Sequence, residues 1–167
     1  MDESGLSQRP TVRRTWAPRG QTPVLKHTGS WKNLSAAAGI TFSSLYFRLY
    51  PGAIRSEQII HFLGQLRRQI GRKLLIVWDN LPAHRSRAVR QWLAVQAGQI
   101  WVERLPAYAP ELNPVEYVWS YWKSHVMRNF CPRSEWELHA LARRGLRKVQ
   151  AKQTLMAAFW KQAELPI

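Results

Sequence analysis

Two kinds of apolar pattern alternate along this chain and predict a mixture of strands and helices. Short runs rich in branched and aromatic residues are typical of β-strands, whereas apolar residues three or four positions apart are typical of amphipathic α-helices. Proline and glycine mark several boundaries, as Pro51 and Gly71 do. The predicted strands are 13–17, 22–26, 34–40, 42–49, 73–78 and 100–105, and the predicted helices are 56–70, 86–97, 113–129 and most of 134–163.

The order of these elements indicates an α/β fold in which helices pack on a mixed sheet. Several strands come first, and helices then alternate with strands. The continuous apolar run 73–78 is typical of a strand buried on both faces. Together with the helix and strand that follow, it predicts two parallel strands joined by a right-handed crossover. Four tryptophans at strand or helix spacing are predicted to be core residues: Trp78, Trp92, Trp119 and Trp122.

The composition excludes several classes of protein. A chain of 167 residues that are 46% hydrophobic fits one domain with an ordinary core, not a disordered protein. Its apolar runs are too short to span a bilayer, and its polar N-terminus lacks the apolar region of a signal peptide. Cys131 is the only cysteine, which excludes a disulfide framework and a cysteine-based zinc site. We therefore expect a cytoplasmic protein without a membrane partner.

The charge of the chain favours a polyanion as partner. Lysine and arginine number 25 against 10 acidic residues, which gives a net charge of +15. Such an excess suits nucleic acid, because each phosphate that is neutralised releases counterions. A soluble basic protein such as a ribosome-associated factor would have the same charge. The acids are scarce enough to be informative, since Asp2 and Asp79 are the only aspartates.

Two acidic residues stand where a metal-dependent site would need them. Asp79 ends the predicted strand 73–78, and Glu116 lies in the first turn of the predicted helix 113–129. Active sites of parallel sheets gather at the carboxyl ends of the strands. Enzymes of phosphoryl transfer often use two divalent cations. Mg²⁺ is a suitable ion, because a few carboxylate ligands are enough to bind it. The placement therefore suggests a metal-dependent site.

Each of these residues also has a structural explanation. Asp79 is followed by Asn80 in a stretch that suits a turn. Glu116 lies three positions after Asn113, where the back-bonding glutamate of a helix capping box belongs. His84, taken alone, is more often structural or solvated than catalytic. The individual residues leave both explanations open.

Four motifs together resemble the catalytic domain of DDE transposases, and most closely the mariner-like family of bacterial insertion-sequence transposases. The motifs are Asp-Glu-Ser-Gly (2–5), Trp-Ala-Pro-Arg-Gly-Gln-Thr-Pro (16–23), Val-Trp-Asp-Asn-Leu-Pro-Ala-His (77–84) and Leu-Pro-Ala-Tyr-Ala-Pro-Glu-Leu-Asn-Pro-Val-Glu (105–116). Between Asp79 and Glu116 lie 36 residues, within the spacing that this family uses between its second and third acids. The resemblance covers residues 2–130, and the last motif is its most specific part.

The resemblance implies an RNase H-like fold and a metal-dependent nuclease site. It implies that Asp2, Asp79 and Glu116 are catalytic and bind two Mg²⁺ or Mn²⁺ ions. The motif residues beside them that we expect to support the site are Asn80, His84 and Asn113. The implied reaction is cleavage of DNA at the ends of a mobile element by water, followed by attack of the freed 3′-hydroxyl on target DNA.

The resemblance also implies how the chain is organised. In this family several apolar residues precede the first aspartate in its strand, and helix-turn-helix domains lie further upstream. Here Asp2 follows Met1 directly. We therefore expect an N-terminally truncated or split-frame transposase whose first strand is short and whose Asp2 is the least well placed acid. The expected partners are DNA, both element ends and target, and a second copy or the N-terminal half of a split transposase, in a bacterial, nucleoid-associated setting.

The C-terminal segment 131–167 is predicted to be a basic helical tail that packs on, or extends, a catalytic domain of residues 1–130. Arg143, Arg147 and Lys148 lie four and five positions apart and share one sector of a helix, so they are candidate DNA-binding residues. A solvated basic face is the alternative.

Two other functions fit parts of the pattern. An inactive transposase remnant that binds only DNA or a partner transposase would keep the same motifs. A stand-alone RNase H-like nuclease, such as a resolvase, would explain the metal site and the charge but not the motif at 105–116.

Overall fold

The computed structural model describes residues 1–26, 33–106 and 108–164, and it confirms the predicted mixture of strands and helices. Its strands are β1 (Asp2–Ser7), β2 (Asn33–Ile40), β3 (Leu45–Pro51), β4 (Leu74–Trp78) and β5 (Ile100–Arg104). Its α-helices are α1 (Ser56–Ile70), α2 (Arg87–Val95), α3 (Pro114–Tyr121), α4 (Glu135–Gln150) and α5 (Gln153–Gln162). A 3-10 turn spans Pro110–Leu112, and a π-helical turn, Trp122–Val126, extends α3. Ala107 of the motif at 105–116 and residues 165–167 of the tail lie outside the described residues.

The strands form two sheets that meet at the start of β1. Strands β1, β2 and β3 are antiparallel and follow one another in that order, with Asp2 opposite Ala38. Strands β4 and β5 are parallel, as the strand–helix–strand pattern predicted. The Met1 amino group donates a hydrogen bond of 2.7 Å to the Val77 carbonyl in β4. This bond places the start of β1 beside the end of β4.

Two apolar clusters lie on opposite faces of the antiparallel sheet. Ala36 and Ala38 of β2 pack with residues of α3, α4 and α5, whereas Ala37 packs with residues of α1 and β4. The alternation follows from the two-residue period of a strand. Trp78, Trp119 and Trp122 are buried as predicted. The prediction was too strong for Trp92, which is only half-buried.

The helices of the tail belong to this core. Leu138 and Leu146 of α4, and Met156 of α5, are buried in the same cluster as Leu34 of β2. None of the helices in the described ranges is both long and apolar enough to cross a membrane.

The predicted strand pair 13–17 and 22–26 is wrong. Residues 12–24 are exposed and form no strand, and the Trp16 side chain is 99% exposed. A strand needs an edge with which to pair, and among the described residues the β-pairing of this region is an isolated bridge from Thr11, just before the segment, to Arg128. Pro18 and Pro23 also remove two backbone donors that a ladder would use.

Three further boundaries differ from the sequence pattern. Strand β4 is not buried on both faces, because Leu75 is 62% exposed. Strand β3 begins at Leu45 instead of residue 42, since residues 41–44 form a turn in which the Thr41 amide donates to the Ser44 carbonyl at 2.8 Å. The predicted helix 113–129 leaves α-geometry after Tyr121, and the Met127 amide bonds the Trp122 carbonyl five residues back.

Candidate active site

Three elements deliver the predicted acids to the place where β1 meets β4. Asp2 begins β1, Asp79 follows the last residue of β4, and Glu116 lies in the first turn of α3. The neighbourhood of β1 and β4 follows from the hydrogen bond between Met1 and Val77. The fold therefore brings acids that are 37 or more positions apart in the sequence into one region.

Asp2 is buried and firmly held. The residue is 5% exposed. One carboxylate oxygen, Oδ1, accepts a hydrogen bond of 2.7 Å from the Glu3 amide, and Oδ2 accepts one of 3.0 Å from Trp119 Nε1. The expectation that Asp2 would be the least well placed acid is wrong, because pairing with Ala38 and these two bonds fix it despite its position near the terminus.

The electrostatics of Asp2 show that other acids are close. Burial, and then the negative charge of Glu116, raise the pKa of Asp2 from 3.8 to about 7. Burial lowers the pKa of the Met1 amino group, and the charges of Asp2, Glu3 and Asp79 oppose that shift. Asp2 therefore lies within electrostatic range of Glu116, and one ammonium group lies within range of three carboxylates.

Asp79 forms a turn and also faces this group of acids. Its Oδ1 accepts a hydrogen bond of 3.1 Å from the Leu81 amide, which is the turn that the sequence suggested. The same oxygen lies 2.8 Å from Nδ1 of His84. The structural explanation of Asp79 therefore holds, but it accounts for one oxygen and does not exclude a ligand role.

His84 links two of the acids. Its Nδ1 contacts Asp79, and its Nε2 lies 3.1 Å from Oε1 of Glu3. The ring stacks on Trp78 with centroids 4.2 Å apart and planes 1° apart. Burial alone would lower the pKa of His84, but the hydrogen bonds and charges of Glu3 and Asp79 raise it above the ordinary value. The histidine is 3% exposed and thus ties the end of β4 to the second residue of β1.

Glu116 does not serve as the return arm of a capping box. Asn113 caps α3 by accepting a hydrogen bond of 3.2 Å from the Val115 amide. The Asn113 amide, which a capping-box glutamate would bind, instead donates to the Pro110 carbonyl at 3.0 Å. The Glu116 residue is exposed, and its carboxylate has no hydrogen-bond partner within the described ranges. Its carboxylate is therefore free to bind a ligand.

Sequence reasoning missed two residues of this site. Glu3 was not identified as a partner of His84, and Trp119 was assigned to the core alone. The spacing of Trp119 from Glu116, three residues on a helix, was a usable signal, because such residues share a face. No local signal pointed to Glu3, since its contact with His84 joins residues 81 positions apart. Of the residues expected to support the site, His84 and Asn113 make the contacts above, and Asn80 is exposed in the turn.

The donor set suits a hard divalent cation. Within the described part of the chain, no three His, Cys, Asp or Glu side chains are already arranged to hold a metal ion. However, burial and then the negative charge of Glu116 raise the pKa of Asp2, and a cation between the two carboxylates would relieve their repulsion. Carboxylate oxygens are the ligands that Mg²⁺ and Mn²⁺ prefer. The residues present therefore fit the group that the resemblance implies.

The three candidate DNA-binding residues lie elsewhere. Arg143, Arg147 and Lys148 are exposed on α4. Arg143 and Arg147 line a groove beside β3, and the acids described above do not line it.

Solved structures similar to this chain share its fold. The Mos1 mariner paired end complex with Mn matches over 97% of this chain and 51% of that chain, with a TM-score of 0.71 and 20% identity. The catalytic domain of Mos1 mariner transposase matches over 79% of this chain and 68% of that one, with a TM-score of 0.59 and 21% identity. This similarity confirms the RNase H-like fold that the motifs implied.

Sequence comparisons identify the family. The Tc1 transposase of Caenorhabditis elegans is 27% identical over 122 residues, which are 71% of this chain and 44% of that protein. The Tcb2 transposase of Caenorhabditis briggsae is 30% identical over 60 residues, or 36% of this chain and 21% of that protein. The chain thus spans less than half the length of either relative. The profile of the family described as DDE superfamily endonuclease matches residues 1–138, so the chain belongs to the DDE superfamily of endonucleases.

Proposed function

We propose that this chain is the catalytic part of a DNA transposase, which cleaves DNA strands at the ends of a mobile element and joins them to target DNA. The observation that supports the proposal is the position of Asp2, buried where β1 meets β4 and within electrostatic range of Glu116, with Asp79 at the end of β4. Asp2 is buried there, Glu116 raises its pKa, and Asp79 is tied to the same region through His84. Membership of the DDE endonuclease family supports the same chemistry.

In this proposal the three acids hold divalent cations, Mg²⁺ or Mn²⁺, two of them in the complete site. Such ions activate the attacking oxygen and stabilise the leaving oxygen of a phosphodiester when they are bound. Mos1 structures with Mn and with Mg support the choice of ion.

The other residues of the site position these acids. Trp119 and the Glu3 amide each hold one oxygen of Asp2, which fixes the plane of its carboxylate. His84 holds Asp79 against Glu3. Asn113 starts α3 and so sets where Glu116 stands. A pre-positioned set of acids loses less entropy when it binds a cation and substrate.

The reaction in this proposal has two displacements at phosphorus. Water attacks the phosphodiester at the element end, its oxygen bonds to phosphorus, and the bond to the 3′-oxygen breaks to leave a 3′-hydroxyl. That hydroxyl then attacks a target phosphodiester and displaces another 3′-oxygen. The solved structure of the Mos1 strand transfer complex supports the second step for this chain.

The partners in this proposal are DNA and further protein. Mos1 structures include a paired-end complex with the left transposon end, which supports element ends as substrate and a second copy of the chain as partner. This chain covers about half of those Mos1 chains, so we assign recognition of the ends to a further segment, in the same protein or in the other half of a split transposase. Arg143, Arg147 and Lys148 are proposed to contact phosphates.

The experiment is nicking of supercoiled plasmid DNA by the 167-residue chain in Mn²⁺, Mg²⁺, Ca²⁺ or EDTA. We expect nicking in Mn²⁺ and Mg²⁺, none in EDTA, and loss of nicking in Asp79→Asn. In parallel, Mn²⁺ should raise the Tm of the chain, because a ligand that binds only the folded state stabilises it. Asp2→Asn should abolish that rise in Tm.

Two results would overturn the proposal. One is nicking that persists in EDTA or in Asp79→Asn. The other is a chain that neither nicks DNA nor gains thermal stability from Mn²⁺, since a competent acid site should do at least the second without any DNA.

A further inference from the structure

The edge of the antiparallel sheet opens into a large groove that is remote in sequence from the acids. Strand β3 is the edge strand, and α1 and α4 pack on opposite faces of the sheet beside it. Between the two helices lies a cavity of about 840 Å³ whose floor includes residues 46–49 of β3.

Four arginines from three elements line this groove. Arg48 comes from β3, Arg68 from α1, and Arg143 and Arg147 from α4. All four are exposed. No acidic residue lines the groove, and no carboxylate in the described ranges forms an ion pair with any of the four. The other polar residues that line it are Tyr46, Gln65, Gln69, Gln150 and His139.

The charges of two groove arginines contribute to the pKa shift of a neighbouring histidine. His61 of α1 has a pKa below its ordinary value, first through burial and then through the charges of Arg48 and Arg68. Arg48 is also partly held in place. Its Nη1 donates a hydrogen bond of 3.1 Å to Gln65 Oε1, and its guanidinium lies 5.9 Å from the centre of the Tyr50 ring. Like charges are thus kept close together without a counter-charge.

Protection of an exposed sheet edge accounts for only one of these arginines. A cation on an edge strand discourages pairing with another strand, and this would explain Arg48. Arg68, Arg143 and Arg147 are on helices, where edge protection gives no reason for them to converge. Arginine, with its planar fork of donors, is the residue best suited to bind phosphate oxygens in pairs. Neutral glutamines beside it supply the other contacts usual for a sugar–phosphate backbone.

We propose that this groove, formed by Arg48, Arg68, Arg143 and Arg147, binds the phosphate backbone of a DNA duplex at a place distinct from the acids. The proposal rests on the proposed function only for the identity of the polyanion. It adds a second wall to the surface that the sequence pattern of α4 suggested, because Arg48 and Arg68 face Arg143 and Arg147 across the groove. Binding there depends on charge and not on base sequence.

The test measures binding of a fluorescently labelled 20-bp duplex of arbitrary sequence by anisotropy, in EDTA and over a range of KCl concentrations. The two test variants each remove one wall: Arg48→Gln with Arg68→Gln, and Arg143→Gln with Arg147→Gln. Each should weaken binding roughly tenfold or more near 0.1 M salt and reduce the slope of log K against log[salt] by about 1.8, because each lost phosphate contact removes about 0.9. Thermal melting of each variant checks that the fold is kept.

A matched control removes the same charge outside the groove. Arg144 on α4 and Lys161 on α5 are exposed and do not line it. The double variant Arg144→Gln with Lys161→Gln should change the slope by less than about 0.5. Equal flattening in the control would overturn the proposal, since it would show that only net charge matters.

Two other results would also overturn it. One is an unchanged slope in both wall variants. The other is that the wall variants keep their affinity for DNA but lose affinity for a labelled poly-glutamate peptide, which would assign the groove to an acidic protein partner. Because EDTA removes the metal and no cleavage is measured, this test stays independent of the proposed function.

Discussion

The two charged regions of this fold are built in opposite ways. Where β1 meets β4, Asp2 is buried and Asp2 and Asp79 are held by hydrogen bonds, whereas the arginines of the groove are exposed and come from three separate elements. Burying like charges raises the free energy of the folded state, as the pKa of about 7 at Asp2 shows. Exposed like charges are screened by water and salt and cost far less.

That difference indicates different ligands. A buried, mutually repelling acid group is stabilised by a small, highly charged ion that fits between the carboxylates. A row of exposed cations suits an extended anion, which can bind without losing all of its water. The fold therefore presents a region suited to divalent cations where β1 meets β4, and a surface suited to DNA at the β3 edge of the antiparallel sheet. The predictions below test each region, beginning with the largest expected effect.

Glu116→Gln tests whether the acidic region needs charge. Its carboxylate makes no capping bond, so the change should leave the fold intact. We expect the nicking rate in Mn²⁺ to fall by about 10²–10³-fold or more, because the site loses charge that holds the cation and stabilises the transition state. The control is Glu111→Gln, which removes the same charge from the exposed 3-10 turn just before α3. Nicking by Glu116→Gln at the level of that control would remove Glu116 from the site.

The pH dependence of the free energy of unfolding tests whether the buried charge of Asp2 destabilises the metal-free protein. Since the folded pKa of Asp2 is about 7 and its unfolded value is 3.8, the unfolded chain binds fewer protons between these pH values. The free energy of unfolding in EDTA should therefore fall as the pH rises from about 4 to 7, by about 2–4 kcal/mol. Urea unfolding of the unmodified chain and of Asp2→Asn measures this fall.

Comparison with Asp2→Asn isolates that contribution. His84 acts in the same direction, because its raised pKa gives stability that is present below pH 6.5 and lost as the pH rises through the folded value. It is present in both proteins and cancels in the difference. Mn²⁺ should flatten the pH dependence of the unmodified chain but not of Asp2→Asn. If the free energy of unfolding depends on pH equally in the two metal-free proteins, the charge of Asp2 does not destabilise the fold.

His84→Gln tests whether the acids must be tied together. The histidine holds Asp79 at 2.8 Å and Glu3 at 3.1 Å. Loss of a residue that orients a ligand typically weakens metal affinity or activity by about 10–100-fold, so the Mn²⁺ concentration for half-maximal nicking should rise by that factor. His61→Gln, a change at an exposed histidine of α1, should leave the Mn²⁺ requirement unaltered. A similar requirement in His84→Gln and the unmodified chain would make His84 a purely structural residue.

Gly145→Ala tests the packing of α4, which forms one wall of the groove. A Cβ at Gly145 would lie 2.7 Å from both Trp122 Nε1 and Val126 Cγ1, so α4 or the π-helical turn would have to shift. We expect a loss of about 1–3 kcal/mol in the free energy of unfolding. In the opposite wall, Gly64→Ala meets no atom closer than 3.5 Å and should stabilise α1 by about 0.5–1 kcal/mol. Chemical denaturation measures both, and a neutral Gly145→Ala would mean that this contact is loose.

The sequence by itself determined most elements and the candidate acids of the site. The boundaries of α1 agree with the apolar spacing because that helix buries one face and ends at Gly71, whose φ of +66° suits glycine. The parallel pair β4 and β5 followed from the strand–helix–strand pattern, since a crossover needs a helix of that length. Asp79 and Glu116 became candidates because motif and element boundary coincide there.

The tertiary structure decided what depends on contacts between distant residues. A segment becomes a strand only where another strand offers a free edge for pairing. The exposed segment 12–24 therefore remained irregular despite its pattern. The bond between Trp119 and Asp2 spans 117 residues, and the one between His84 and Glu3 spans 81. Local spacing carries no information about such pairs. The same holds for the groove, where Arg48 and Arg68 meet Arg143 and Arg147 only because α1 and α4 flank the same edge strand.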